Sequence, residues 1–534
     1  MSSSTQPSYI ALTIGPIYQT LLLARATREL WGASYLFSYI MGNIIKNLQE
    51  EGITSEQILI PYYSNENSNE PLNHYGAGVF PDRLIFRKNK GDEAAKLNRA
   101  IEKTLNEVSC IMISCFQKNN IEVKEKSITA YIKQYFRFCI VEKTLKANEN
   151  AIIALTPYLD TLELQCKVVP KEEEQESTNA NTKRSKANYL ELFFENINSS
   201  KLFKETFKQV ENKGKYKHID GFPSIVDIAT IGLYENHSEL FAQNNGGEEE
   251  GIYTKLKNNK DLMPYHRYIC IVHADGDNIG ETIKAINEND FTGFSKKLYD
   301  FAIWAAKEIS NYGGKPLYIG GDDLLFLAPV CAEGSSIFEL MDSIQKKFAN
   351  SGFGDGVSLS LGLSITYHKF PMFEALEMSR NLLFEKAKSS PKNAIAFRIQ
   401  KHSGQWWEAT LHKKTGEEGQ LYTHFIEKIG KIHLSEASLQ SLIYKLRDNQ
   451  SLLHHIWQQR ETDSNPFIHF FTNFFNETIH QGDTEKYIEY VSDLLWICYK
   501  TFDKEEDTAM KTYYALLRTI QFLSSPNNNT PPTI

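Results

Sequence analysis

Residues 316–329, PLYIGGDDLLFLAP, decide the fold of this chain. Two apolar runs of strand character flank Gly320, Gly321, Asp322 and Asp323. Glycine reaches the positive φ angles of a tight turn without steric cost, so the stretch predicts a β-hairpin. A hairpin whose acids merely face water is the plainer reading, and most such turns are no more than that. A second acidic pair shifts the balance: Asp275-Gly276-Asp277 closes another strand-like run, YICIVHAD (268–275). From Arg267 the signals run strand, helix (292–310), hairpin, helix (335–350), strand GVSLSLGLSITY (356–367), helix (371–388) and strand NAIAFRI (393–399). That is the β-α-β-β-α-β order of a ferredoxin-like unit. In such a sheet the first strand lies beside the central hairpin, so Asp275 and Asp277 are expected near Asp322 and Asp323.

Four crowded carboxylates repel and raise one another's proton affinity unless cations lie between them. An all-oxygen set suits Mg²⁺ or Mn²⁺, which keep water and substrate phosphates as their other ligands. Two such ions, about 4 Å apart, activate an attacking hydroxyl and stabilise a leaving pyrophosphate oxygen. The second glycine, Gly321, lets a nucleotide approach the backbone closely. In AKSSPKN (387–393), Lys388 and Lys392 stand between a helix and a strand, within reach of phosphates, although a lone lysine is ordinarily a solvated charge. His368 sits where a strand leads into a helix and reads equally as a pocket residue or a satisfied loop histidine. Asn278 and Gly280 read as turn residues first and ligand contacts second.

Outward from this unit, the N-terminal segment opens with YIALTI (9–14), broken by Gly15-Pro16. Helical spacing follows over 17–48, then strands QILIPY (57–62) and DRLIFR (82–87), a helix over 92–117 and a strand near 135–141. The fold class expected is α+β, with two ferredoxin-like palm domains, the first degenerate and the second catalytic. The domains are placed at 1–145 (degenerate palm), 146–262 (mainly helical connection), 263–400 (catalytic palm) and 401–534 (C-terminal helical domain). The polar run KEEEQESTNANTKRSKA (171–187) reads as a mobile insertion, NNGGEEEG (244–251) as loose acidic chain, and SSPNNNTPPTI as an unstructured tail.

The chain's 534 residues exceed what one core holds and imply three or four domains. With 41% hydrophobic and 23% charged residues it has an ordinary globular composition. No apolar run approaches a bilayer span and the N-terminus lacks a secretory pattern, so no membrane association is expected. The seven cysteines include no CxxC pair, which argues against a zinc ribbon or a disulfide framework and for a reduced cytoplasm. A net charge of −8 excludes a wholly basic nucleic-acid coat but not a local basic channel.

GGDD with the upstream ADGDNIG (274–280) resembles the active palm of the large subunit of type III, III-B-like, CRISPR–Cas effector complexes, relatives of nucleotide cyclases and polymerases. The run TIGPIYQTLLLARATRELWGASYLFSYI (13–40) is similar to that family's first, non-catalytic palm. VFPDRLIF (79–86), FPSIVDIAT (222–230) and AKSSPKNAIAF (387–397) extend the likeness. The resemblance implies Asp275, Asp322 and Asp323 as catalytic metal ligands and Gly320 and Gly321 lining the nucleotide pocket, with two nucleotides at the palm–palm junction. By their own positions, Asp277 is expected as a fourth metal ligand and Asn278, Lys388, Lys392 and His368 as candidates around the nucleotide. The resemblance further implies conversion of ATP to a cyclic oligoadenylate second messenger when target RNA is captured, for antiviral defence. The partners implied are guide RNA, target RNA and the other subunits of the complex. A sub-branch instead joins AMP to S-adenosylmethionine, and the motifs do not separate the two products.

Two departures stand out. Only eight residues precede the first strand and no His-Asp dipeptide occurs, so the family's HD nuclease is expected to be absent. The zinc-binding cysteines common between the palms are missing too. The competing readings are a silent scaffold subunit, which has no need of mutually repelling acids, and a free-standing GGDEF-like cyclase acting without RNA.

Overall fold

The computed structural model describes residues 6–63, 75–89, 91–146, 149–164, 188–207, 215–217, 219, 221–234, 237–238, 253, 259, 261–287, 290–332, 334–413, 417–429, 436–459, 464–474, 484–502 and 505–524. The expected insertion at 171–187, the acidic run at 244–251 and all but the first residue of the tail lie outside them.

The first sheet contains β1 (Ser8–Gly15), β2 (Ile58–Ile60), β3 (Arg83–Lys88) and β4 (Arg137–Thr144) in the order β2-β3-β1-β4. β1 pairs antiparallel with both β3 and β4. Helix Thr27–Glu50 connects β1 to β2 and helix Glu93–Lys118 leads from β3 towards β4. This is the strand order of a ferredoxin-like unit. Alternation along β1 splits the core: Ile10, Leu12 and Ile14 join the helices on one face, while Tyr9 and Ala11 meet helix Ala151–Glu163 on the other. The expected continuous helix over 17–48 is instead two, Ile17–Leu21 and Thr27–Glu50. The chain turns extended at Ala26, where the Glu29 side chain accepts from the Arg25 amide and Thr27 Oγ1 donates to Pro223 O, so tertiary bonds override helical spacing.

The second sheet has six strands: β5 (Tyr268–Asp277), β6 (Lys315–Ile319), β7 (Leu324–Pro329), β10 (Ser358–Tyr367), β11 (Ala394–Gln400) and β12 (Trp406–His412). Their order is β12-β11-β10-β5-β7-β6, so the four strands β10-β5-β7-β6 repeat the ferredoxin-like order. The remaining strands, β8 (Cys331–Ala332) and β9 (Ser335–Ser336), form a small ribbon. β12 lies beyond the expected boundary at residue 400. It extends the sheet from within a segment read as helical, because WWEATLH alternates at period two against β11.

β10 shows how the sequence builds this sheet. Its odd residues Leu359, Leu361, Leu363 and Ile365 enter the core beneath helices Phe291–Tyr312 and Ile337–Ala349. Its even residues are small, and on that face helix Met372–Asn381 and the π-helical turn Leu382–Ala387 lie directly on the strand. Ser364 Oγ donates to Ala375 O at 2.7 Å, Ser360 Oγ stands 3.2 Å from Ala387 O, and a Cβ on Gly362 would strike Ser379 O and Leu383 N.

The two units meet at the β6 edge. Gly78 N donates to Leu317 O at 3.1 Å and Ile319 N to Gly78 O at 2.8 Å, while Ser34 Oγ reaches Leu317 O. Trp31, fully buried, donates to Gly76 O at 2.6 Å and packs among Tyr35, Phe203, Phe207 and Phe222. Among the described residues no helix is long and apolar enough to cross a membrane.

Candidate active site

The predicted hairpin is present. Ile319 pairs with Leu324, and Gly320 N donates to Asp323 O at 2.9 Å to close the turn. Gly321 has φ +94°, the left-handed region that its lack of a Cβ permits. Gly320 is required for a second reason: a Cβ there would collide with the Tyr318 hydroxyl.

Register brings the acids together. β5 pairs antiparallel with β7 from Ile269↔Pro329 to Ala274↔Leu324. Continued past its last pair, the ladder sets Asp275 opposite Asp323 and Gly276 opposite Asp322. A Cβ on Gly276 would lie 2.8 Å from Asp322 Cβ, so this glycine makes room for the acid. Burial, then the charge of Asp275, pushes the Asp322 carboxyl up to about 6, while Lys388 pulls against the shift. Asp323 keeps an open face to solvent. Its carboxyl is nevertheless raised well above the usual range, by the surrounding protein and then by Asp322 and Asp275, with which it also hydrogen-bonds.

The first sheet contributes a further acid that the sequence reading did not single out. Asp82, next to the start of β3, is pushed up to about 6 by burial and adds to the negative field on Asp323. Tyr318, beneath the turn, is raised well above its ordinary value by burial and then by Asp323, Asp82 and Asp322. The signal available in the sequence was an acid opening the strand DRLIFR (82–87), directly after the turn residues GAGVFP (76–81).

Asp277 goes elsewhere. It is fully buried, and its Oδ2 accepts from Ser358 Oγ at 2.7 Å, Ser360 Oγ at 2.8 Å and Asn393 N at 3.0 Å. It is not among the main charges acting on Asp322 or Asp323. The expected four-acid cluster is therefore three acids and a separate fourth, because the three donors hold Asp277 to the β10–β11 side. The serines that do so were legible as polar residues at alternate positions of SLSLGLS (358–364), an otherwise apolar strand.

Lys388, 18% exposed, follows the π-helical turn and forms an ion pair with Asp275. Its Nζ also donates to Gly276 O at 2.8 Å and stands 4.0 Å from Asp277 Oδ1. Lys392 Nζ donates to Asn278 Oδ1 at 3.1 Å, and Asn278 in turn holds Gly356 O at 2.9 Å. Asn278 adopts φ +62° as it opens helix Ile279–Ala285, the turn role read for it first. His368 is not brought to the site. It follows β10 at the end remote from Asp277, one ten-residue strand or about 30 Å away, packed against Tyr253 and Tyr367 and bonded through its N–H to Arg267 O.

Whether cations suit the site is a question of donors. Among the described residues no three His, Cys, Asp or Glu side chains are already arranged to hold a metal ion. Yet Asp275, Asp322 and Asp323 offer hard oxygens, two of them with raised proton affinity, beside a lysine already serving as counter-cation. That donor set fits Mg²⁺ or Mn²⁺ once Lys388 moves aside. None of these acids lines the cavity of about 1130 Å³ between helices Thr27–Glu50 and Glu93–Lys118; they lie at the open junction of the two units instead.

Comparison with known proteins agrees with this architecture. Residues 268–396 match the family model described as Cas10/Cmr2, second palm domain, and residues 9–112 match that of the CRISPR-associated protein Cmr2, N-terminal. A curated relative, the CRISPR system Cmr subunit Cmr2 of Pyrococcus furiosus, is 25% identical over 35% of this chain and 30% of its own length. The chain thus matches under a third of that relative. Two solved structures share the fold: type III-B Cmr-beta in its apo state and Cmr-beta bound to cognate target RNA, both with a TM-score of 0.59. The first is 11% identical over 88% of this chain and 77% of that one, the second 12% over 98% and 84%. Residues 9–112 and 268–396 are thus each similar to a part of the Cas10/Cmr2 proteins.

Proposed function

We propose that this chain is the nucleotidyl-transferring subunit of a type III CRISPR effector complex, converting ATP to a cyclic oligoadenylate when target RNA is bound. The observation that carries the reading is the ladder register that sets Asp275 beside the Gly320–Asp323 turn, with Lys388 against Asp275. A scaffold has no use for adjacent acids whose proton affinities are raised by their surroundings and by one another. The 11–12% likeness to Cmr-beta supports the fold alone, and the target-RNA-bound relative supplies the kind of assembly proposed here.

In this reading the first, degenerate palm and the catalytic palm share the nucleotides at their junction, where Asp82 and Tyr318 lie beside the turn. Asp275, Asp322 and Asp323 would hold divalent cations, which supply hydroxyl activation and charge neutralisation at the leaving pyrophosphate. Gly320 and Gly321 keep the turn's backbone bare for a nucleotide. Lys388 leaves Asp275 and Lys392 leaves Asn278 to take up phosphate oxygens, which orients the triphosphate. The ribose hydroxyl of one nucleotide bonds to the α-phosphorus of the next, the carboxylate group takes its proton, and pyrophosphate departs.

The test is the double substitution Asp322→Ala with Asp323→Ala in the assembled complex. It is expected to leave assembly intact and to lower product by at least about a thousandfold, the scale on which acids that act as a unit fail together. A double variant that no longer assembles, or that still makes product, removes support from the assignment. Adding S-adenosylmethionine to parallel reactions separates ring closure from AMP conjugation.

A further inference from the structure

We infer that Asp277 is a positioning residue for Lys388 and not a ligand of the catalytic cations. The inference deepens the nucleotidyl-transfer reading above and rests on it. Asp275 and Asp277 lie on one face of β5, opposite Ser360 and Ser358 of β10, yet their surroundings differ. Asp275 keeps a partly open side chain beside the hairpin acids. Asp277 is wholly buried, and all three donors to its Oδ2 belong to the protein frame: two serine hydroxyls of β10 and the Asn393 amide.

A buried carboxylate satisfied by three donors on one oxygen is already anchored, and turning it toward the hairpin would strand all three. Its other oxygen, Oδ1, is buried, has no hydrogen-bond partner and stands 4.0 Å from Lys388 Nζ. That geometry aims the carboxylate's free oxygen at the ammonium just beyond it, which it attracts. The Asn393 amide fixes the far end of the 388–393 loop to the same carboxylate, so Asp277 sets both where the loop sits and where its lysine points. Asn393 is itself clamped: its side chain donates to Lys413 O at 2.6 Å and its carbonyl accepts from Lys413 N at 2.7 Å. Lys413 Nζ holds Asp342 at 2.6 Å, and Asp342 also accepts from Tyr422 of the C-terminal helices. The loop carrying Lys388 is thus braced by Asp277 from the sheet and by Lys413 from outside it.

The experiment uses the full chain with Mn²⁺ and a non-hydrolysable ATP analogue, comparing Asp277→Asn, Asp275→Asn, Lys388→Ala and the Asp277→Asn/Lys388→Ala pair. Asp277→Asn should leave Mn²⁺ affinity within about twofold of wild type, while Asp275→Asn weakens it at least about tenfold, as loss of a charged contact does. Analogue affinity should fall about tenfold in Asp277→Asn and in Lys388→Ala, and no further in the pair, because one residue acts through the other. Mn²⁺ loss in Asp277→Asn matching that of Asp275→Asn, or additive losses in the pair, overturns the inference. If wild type binds neither probe, the reading of the site itself fails. Amide exchange at Asn393 then decides the inference alone: faster exchange in Asp277→Asn upholds it, and unchanged exchange overturns it. Ser358→Ala, a milder removal of one donor, serves in place of Asp277→Asn if that variant does not fold.

Discussion

Asp322 and Asp323 hold their protons into a range where ordinary carboxyls have lost them, and the direction has a measurable consequence. A carboxyl whose folded-state affinity is raised binds protons more tightly than in the unfolded chain, so its contribution to stability falls as pH climbs. For Asp322 the fall runs from the ordinary carboxyl range up to about 6. Above that pH Asp322 is ionised and repels its neighbours in the metal-free site, and a divalent cation relieves this. Mn²⁺ is therefore expected to raise the melting temperature more at pH 7.5 than at pH 5, with that difference lost in Asp322→Asn/Asp323→Asn. An equal shift at both values would separate the cation from these acids. At this scale the sequence was legible where chemistry is written in motifs: GGDD, Asp275 and Lys388 of AKSSPKN meet at one place, and Lys392 reaches Asn278. It was not legible where side-chain direction decides. Asp275 and Asp277 are equivalent by spacing, and the donors that reach Asp277, from Ser358, Ser360 and the amide of Asn393, distinguish them. His368 misled because a strand end names no particular end of the sheet.

At the scale of elements, β10 and the helical segment behind it place Lys388. Small residues at alternate positions let helix Met372–Asn381 lie on the strand, and the π-helical turn that follows ends one residue before the lysine. Such wide turns recur at functional sites because they re-aim what comes next. Gly362→Ala should destabilise the chain by about 2–3 kcal/mol, the upper range for overpacking, since the methyl would meet the helix backbone at Ser379 O and Leu383 N. Urea unfolding monitored by circular dichroism measures this, and a loss under about 0.5 kcal/mol would mean the helix is free to lift. Strand existence and order were readable from period-two alternation and turn residues. β12 was missed because a seven-residue strand sat at the head of a long helical stretch. The break between Leu21 and Thr27 was missed because its cause, a hydrogen bond to Pro223, is nearly two hundred residues away in sequence.

Across the whole molecule, two sheets of the same ferredoxin-like order meet through Gly78 and the β6 edge, and Asp82 of the first lies within the field of the hairpin of the second. The order of strand and helix signals could forecast two α/β units, but not that the first lends an acid to the second, because that depends on how the units dock. The central claim is that this junction joins ATP-derived nucleotides, and mass spectrometry of reaction products tests it most directly. The assembled complex is incubated with ATP, Mn²⁺ and target RNA, with and without S-adenosylmethionine, beside the Asp322→Ala/Asp323→Ala variant. The account predicts ring-closed oligoadenylates from wild type, dependent on target RNA and absent from the variant. No nucleotide product from wild type under any of these conditions, or the same product from the variant, would contradict it.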